Sequence, residues 1–432
     1  MNLPLRRDTF FSDVLHRVSK MCSESGITAI FARCYRKIRK GEPYCMKNFY
    51  YHVPTDIYFG KGQLSALGER LPAMGKRVLL VYGGGSIKKS GLYDAVLSEL
   101  RRGGMDWTEL YGVEPNPRIE TVKRGARICL EKEIDVVLAV GGGSTIDCAK
   151  MVAAAACYDG DAWNLVLDGS KVKKTLPVAS VLTLAATGSE MDGFSVISDL
   201  KKNEKRVSSS ELYKPVFSIL DPEYTFSVPE YQTACGTSDI ISHILENYFN
   251  TEKGAYLQAR MAEGMLKTCL HYAPVVLKEP DNYEARANLM WASSLAINGV
   301  IRYGEMTAWS VHPIEHELSA FYDITHGAGL ALLTPYWMEQ ALNDDTLWRF
   351  VEYGVNVWEI APEKDSYEIA QEAIARTRQF FDSLGMPSHL RELGIDDTNF
   401  TVMAKKAANV LNGRGFAPLS AEDIRCIFEK AL

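Results

Sequence analysis

Ile134-Asp135-Val136-Val137-Leu138-Ala139-Val140-Gly141-Gly142-Gly143-Ser144-Thr145-Ile146-Asp147-Cys148-Ala149-Lys150-Met151-Val152 is the stretch that decides the architecture. A short apolar run passes through three glycines and a serine into a segment with the character of a helix. The run is rich in valine and bounded by turn residues, as a strand buried on both faces requires. Glycine lets the backbone turn tightly and come close to a ligand. The helix that follows opens with free N–H groups, and its dipole favours an anion such as phosphate there.

The same arrangement recurs on either side. Upstream, Arg77-Val78-Leu79-Leu80-Val81-Tyr82 runs into Gly83-Gly84-Gly85-Ser86, and a helix is predicted over Leu92 to Leu100. Downstream, a strand predicted over Val178 to Leu184 precedes Thr187-Gly188-Ser189-Glu190. Strands alternating with helices predict a parallel sheet. One glycine turn could be a bare connection between strand and helix. Two of them, with the third segment, point to a dinucleotide, although neither matches the GxGxxG fingerprint. The first turn closes on Ser86, with Lys88 and Lys89 after it. A carboxylate at that place would repel a 2′-phosphate, whereas a serine accepts one and lysines favour it. The expected cofactor is therefore NADP(H) over NAD(H).

Beyond Leu220-Asp221-Pro222 the strand signals nearly vanish and helical periodicity takes over, as in Tyr256 to Cys269, Tyr283 to Ile297 and Glu368 to Leu384. We expect an α/β dinucleotide-binding domain over residues 46–225 and an all-α domain over 226–432. Residues 1–45 read as an extension. They carry a basic run (Arg33, Arg36, Lys37, Arg39, Lys40), and Met46 opens a new alternating stretch through Phe49, Tyr51 and Val53.

Bulk properties narrow the class. A net charge of −6 lacks the basic footprint of a nucleic-acid binder. No apolar run reaches the roughly 18 residues of a membrane span. Nine scattered cysteines without a CxxC pair predict a reducing, cytoplasmic setting and no zinc ribbon. A bound metal must therefore use histidine and carboxylate.

Such a set is present. Asp239 and His243 are four apart in a helical segment, so both side chains share one face. His312 and His316 repeat the spacing, and His326 follows a break at Phe321-Tyr322-Asp323-Ile324. One carboxylate and three imidazoles suit Fe²⁺ or Zn²⁺ with a position left for substrate. Spacing alone leaves a buried hydrogen-bonded cluster or a surface patch as rival explanations.

Together these motifs resemble the iron-containing (group III) alcohol dehydrogenase family, in its NADPH-dependent butanol dehydrogenase and aldehyde reductase branch. The likeness rests on Gly83 to Ser86, Glu114-Pro115-Asn116-Pro117, Gly141 to Ser144 with Asp147 and Lys150, and Leu182 through Glu190. It continues through Leu220-Asp221-Pro222, Asp239 with His243, and His312-Pro313-Ile314-Glu315-His316-Glu317-Leu318 to His326-Gly327. The resemblance implies the dehydroquinate synthase-like fold, with a dinucleotide domain joined to a helical metal domain and a homodimeric assembly. It implies Asp239, His243, His312 and His326 as ligands of one divalent metal, and His316 as a proton carrier that is not a ligand. It places the cofactor on Gly83, Gly84, Gly85 and Ser86, on Gly142, Gly143, Ser144 and Asp147, and on Thr183, Thr187 and Ser189. The implied reaction interconverts primary alcohols such as butanol with their aldehydes. Asp192 departs from the pattern, since the aldehyde-reductase relatives often have asparagine there. A polyol dehydrogenase of the same superfamily and a non-catalytic nucleotide- and metal-binding protein are the alternatives.

Overall fold

A computed structural model describes residues 46–302 and 309–432. The extension expected over residues 1–45 lies outside the described residues. Six parallel strands form one sheet in the order β1-β8-β5-β4-β2-β3. They are β1 (Asp56–Phe59), β2 (Arg77–Tyr82), β3 (Asp106–Tyr111), β4 (Val136–Gly141), β5 (Val178–Leu182) and β8 (Phe217–Leu220). The central strands are buried on both faces, which explains their continuous apolar runs. Val78, Leu80, Val136 and Leu138 pack under helix α1 (Leu92–Arg102). Leu79, Val81, Val137 and Ala139 pack on the other face against α2 (Ile119–Glu131) and α3 (Gly143–Ala155). The β2 strand pairs with both β3 and β4, so the chain reverses direction across the sheet there. Ligands of open parallel sheets bind at the carboxyl ends of the strands beside such a reversal, and both Gly-Gly-Gly-Ser turns lie there.

The alternating stretch from Met46 gives less strand than its pattern suggests. Residues 46–55 are largely exposed and irregular, and only Asp56–Phe59 pairs, as an edge strand on β8. A hairpin that the periodicity did not predict, β6 (Phe194–Asp199) and β7 (Glu204–Ser209), projects from the sheet and packs on the second domain.

That second domain is helical throughout, comprising α4 (Glu230–Tyr248), α5 (Tyr256–Lys278), α6 (Tyr283–Ile297), α7 (Val311–Tyr322), α8 (His326–Ala341), α9 (Leu347–Asn356), α10 (Ser366–Ser383), α11 (Phe400–Leu411) and α12 (Ala421–Lys430). These helices share one apolar core running from Ala234 to Ala431. The α4 helix is central, buried on almost every face, and packs on α5 and α8. Among the described residues, no helix is long and apolar enough to cross a membrane.

Candidate metal and nucleotide site

Four side chains meet where α4, α7 and α8 converge. Asp239 and His243 sit one turn apart on α4, and both are buried. His312 opens α7. The α7 helix ends at Asp323, which takes a left-handed φ of 51° and turns the chain sharply. That turn lets His326 begin α8 facing back toward α4. Asp239 Oδ1 is the focus: His243 Nε2 lies 3.5 Å away, His326 Nε2 3.8 Å and His312 Nε2 3.9 Å. The His243 and His312 rings stack at 4.9 Å. Asp239 Oδ1 and His312 Nε2 are buried without any hydrogen-bond partner. Leaving such atoms unpaired costs about 1–3 kcal/mol each, and a shared cation would satisfy both. Donor type, burial and convergence therefore fit a divalent ion of the zinc or iron class.

Two outward-facing nitrogens are held by carboxylates. His312 Nδ1 lies 3.1 Å from Glu246 Oε1, and Glu246 also accepts the backbone N–H groups of Ser310 (2.7 Å) and His312 (2.8 Å). His326 Nδ1 contacts Glu315 Oε2. Burial would raise the Glu315 carboxyl, but His326 and Lys205 outweigh it and hold it well below the usual range. Burial also lowers the His243 imidazole to about 3 and His316 well below its ordinary value, so both are neutral at pH 7. Sequence reasoning overlooked Glu246, although its spacing from Asp239 and His243 puts all three on one helix face. It overlooked Lys205 as well. This buried lysine of β7 reaches across to Ser319 (3.1 Å), His326 Nδ1 (3.2 Å) and Glu315 (3.4 Å).

The cluster around Asp239 opens into a cavity of about 490 Å³ between the two domains. Gly143, Ser144, Asp147, Thr187 and Asp192 line it from one side, and His312, His316 and His326 from the other. His316 stands one turn beyond His312, its ring 5.5 Å from that of His326. A Cβ on Gly143 would lie 2.2 Å from Thr187 Oγ1, so this glycine is required by close packing. Gly143 and Ser144 bring the N-terminus of α3 to the cavity wall, an end of a helix whose dipole favours an anion.

The remaining cofactor candidates fall elsewhere. Gly83, Gly84, Gly85 and Ser86 stand at the end of β2, outside the cavity wall, with Gly85 at φ 107°. Gly142 caps α3 from behind the wall, and the Thr183 N–H bonds Gly141 O at 3.0 Å. Ser189 is buried and donates to Asp147 Oδ1 at 2.5 Å; Asp147 Oδ2 accepts the Val196 N–H at 2.9 Å. Asp147 therefore ties α3 both to the Ser189 turn and to the hairpin. Burial pushes Asp147 up to about 6. Asp192, the departure from the pattern, is held by Lys150 Nζ at 2.7 Å.

Residues 54–222 match the family model "Iron-containing alcohol dehydrogenase", and residues 233–432 match "Fe-containing alcohol dehydrogenase family, C-terminal". The chain is 55% identical over 390 residues to NADH-dependent butanol dehydrogenase B of Clostridium acetobutylicum, covering 90% of this chain and 100% of that one. It is 42% identical over 365 residues to the NADPH-dependent aldehyde reductase YqhD of Escherichia coli, covering 84% and 93%. The crystal structure of NADH-dependent butanol dehydrogenase A from Thermotoga maritima superposes with a TM-score of 0.84 at 37% identity, covering 90% of this chain and 100% of that one.

Proposed function

The chain belongs to the iron-containing alcohol dehydrogenase family, in its butanol dehydrogenase and aldehyde reductase branch, and from that premise we propose that it is an NADP(H)-dependent enzyme interconverting primary alcohols and aldehydes by hydride transfer. One observation carries the reading: Asp239 faces three imidazoles within 3.9 Å in the cavity that also receives the open N-terminus of α3. When a divalent ion such as Fe²⁺ or Zn²⁺ is bound, this donor set supplies Lewis-acid polarisation of a carbonyl or alcohol oxygen. Glu246 and Glu315 hold His312 and His326 in the tautomer whose Nε2 lone pair faces Asp239. Gly143, Ser144 and Thr187 line the same cavity and would hold the phosphates of the cofactor, which would supply the hydride. His316 lines the cavity beside them and, as a neutral imidazole, would relay a proton toward the substrate oxygen, accepting at one ring nitrogen as it donates from the other.

For NADP(H), the supporting feature is the Ser86 turn. Lys88 Nζ is held over the rings of Tyr93 (4.6 Å) and Tyr82 (5.1 Å). Both phenols donate to Glu109 at 2.5 Å. That acid is thus committed to tyrosines, and an ammonium stands by the turn. Of the three relatives named above, two are named for NADH and one for NADPH, so kcat/KM with NADPH against NADH decides. We expect a preference for NADPH of at least about tenfold, reversed in Ser86→Asp, where the new charge repels a 2′-phosphate. Equal use of both cofactors would refute this part.

The reaction is tested with aldehyde-dependent oxidation of NADPH by metal-loaded protein. Butanal should be turned over, and His312→Ala should lose both metal and activity. His316→Ala should keep its metal and lose about 10²- to 10⁴-fold in kcat. Nucleotide and metal binding without turnover of any primary aldehyde would favour a non-catalytic role.

A further inference from the structure

Arg302 is a partly buried cation of the cavity wall with no ion-pair partner among the described residues. It follows the end of α6, where Gly299 turns at φ 100° and accepts the Arg302 N–H at 3.1 Å. The side chain lines the cavity, and its Cζ lies 5.3 Å from the centroid of the Phe194 ring. Burial pulls its pKa down, and the charges of Asp192 and Glu211 only partly offset that. Both acids are engaged elsewhere, Asp192 with Lys150 at 2.7 Å and Glu211 with Lys214 at 2.7 Å. The other carboxylates of the wall are occupied too. Asp147 is bonded to Ser189 and Val196, Asp239 is in the metal cluster, and Glu317 lies 3.1 Å from Lys406. Among the described residues, none lies within ion-pair distance of Arg302.

Arg302 is partly buried, and a guanidinium partly withdrawn from water without a counter-ion is disfavoured, a cost that an anionic ligand would reduce. The α3 cradle already provides for the cofactor phosphates, so the unmatched charge falls to the substrate. We propose that Arg302 recognises a carboxylate on the substrate, and that the cavity takes primary aldehydes whose chain ends in a carboxylate, a short ω-oxo acid. This rests on the alcohol dehydrogenase reading given above. The reaction is unchanged. A hydride passes from the reduced nicotinamide to the aldehyde carbon, a proton goes to its oxygen, and the carboxylate is a spectator held by the planar fork of the arginine.

The test compares butanal with 4-oxobutanoate, equal in carbon number, using metal-loaded enzyme and NADPH. In the wild type, kcat/KM for 4-oxobutanoate should exceed that for butanal. In Arg302→Gln the ratio of the two should fall about tenfold to a hundredfold, the range for a charge-assisted hydrogen bond, mostly through the KM of the oxo acid. Arg302→Lys should recover part of it. If Arg302→Gln leaves the ratio unchanged, the assignment is wrong. It is equally wrong if the variant raises the KM of NADPH instead, because Arg302 then serves the cofactor. Turnover of butanal with indifference to the carboxylate overturns only this inference, whereas turnover of neither aldehyde overturns the parent reading.

Discussion

Two of the imidazoles around Asp239 carry a carboxylate on the nitrogen facing away from it. His312 has Glu246 and His326 has Glu315. Such partners fix both tautomer and ring orientation, and their loss typically weakens metal binding about 10- to 100-fold. Glu246 makes the cleaner experiment because Glu315 also carries Lys205 and Ser319. Glu246→Gln keeps the size and one acceptor but removes the charge. We expect metal affinity, measured against a competing chelator, to drop by that factor with little change in Tm. A large fall in Tm with unchanged affinity would show that Glu246 mainly caps the start of α7 through the N–H groups of Ser310 and His312. The ligand candidates themselves were legible, since acid and imidazole at helical spacing carry their own signal. The identity of the outer carboxylates was harder to read. Glu246 and Glu315 look like any acidic residue on a helix until the third dimension brings a histidine nitrogen to them.

The elements differ in how openly they announce themselves. The segment from β4 into α3 is legible because the strand is apolar on both faces and its glycines mark the turn. The hairpin is hidden for a physical reason. On β6, Ser195, Ile197 and Asp199 alternate as buried residues, yet two of the three are polar. On β7, Lys205 and Ser208 are buried through hydrogen bonds and ion pairing, not through apolar packing. A period-two hydrophobic signal cannot arise from such a strand. Lys205 therefore reaches α7 and α8 from a strand that carries no hydrophobic alternation. Within α3, Gly143 has a sharper role than conformational freedom. Its missing Cβ leaves room for Thr187, whose hydroxyl accepts the Ser189 N–H at 3.1 Å. Gly143→Ala forces Thr187 aside and blocks the open end of the helix. NADPH affinity by fluorescence titration should fall at least about tenfold, with metal content retained. Unchanged affinity would mean that the pyrophosphate does not rest on this turn.

At the scale of the molecule, the cavity lies between two domains joined by several polar contacts, and three of these pins stand next to the site. Lys205 reaches α7 and α8. Asn116 and Arg118, from the loop after β3, both bind the Asp323 carboxylate, at 3.0 and 2.6 Å, on the turn that aims His326. Glu190, in the loop after β5, receives the Ser294 hydroxyl of α6. The third pin is sensitive to pH. Glu190 is fully buried, its Oε2 has no partner, and burial pushes its pKa from the ordinary 4.5 up to about 7. A carboxyl raised by folding contributes stability that is fully present below its unfolded value and is lost as pH rises through the folded one. Glu190 should therefore erode stability between about pH 4.5 and 7, by on the order of 3 kcal/mol if the whole difference is expressed. Asp147, raised to about 6 by burial, acts in the same direction over a lower window. Glu190→Gln keeps an acceptor for Ser294 and never ionises. Its Tm should fall less than that of the wild type between pH 5 and 8, while the slope due to Asp147 remains. Parallel Tm profiles for the two proteins would mean that the interdomain carboxyl is charged throughout, with its desolvation met by the nearby Lys150.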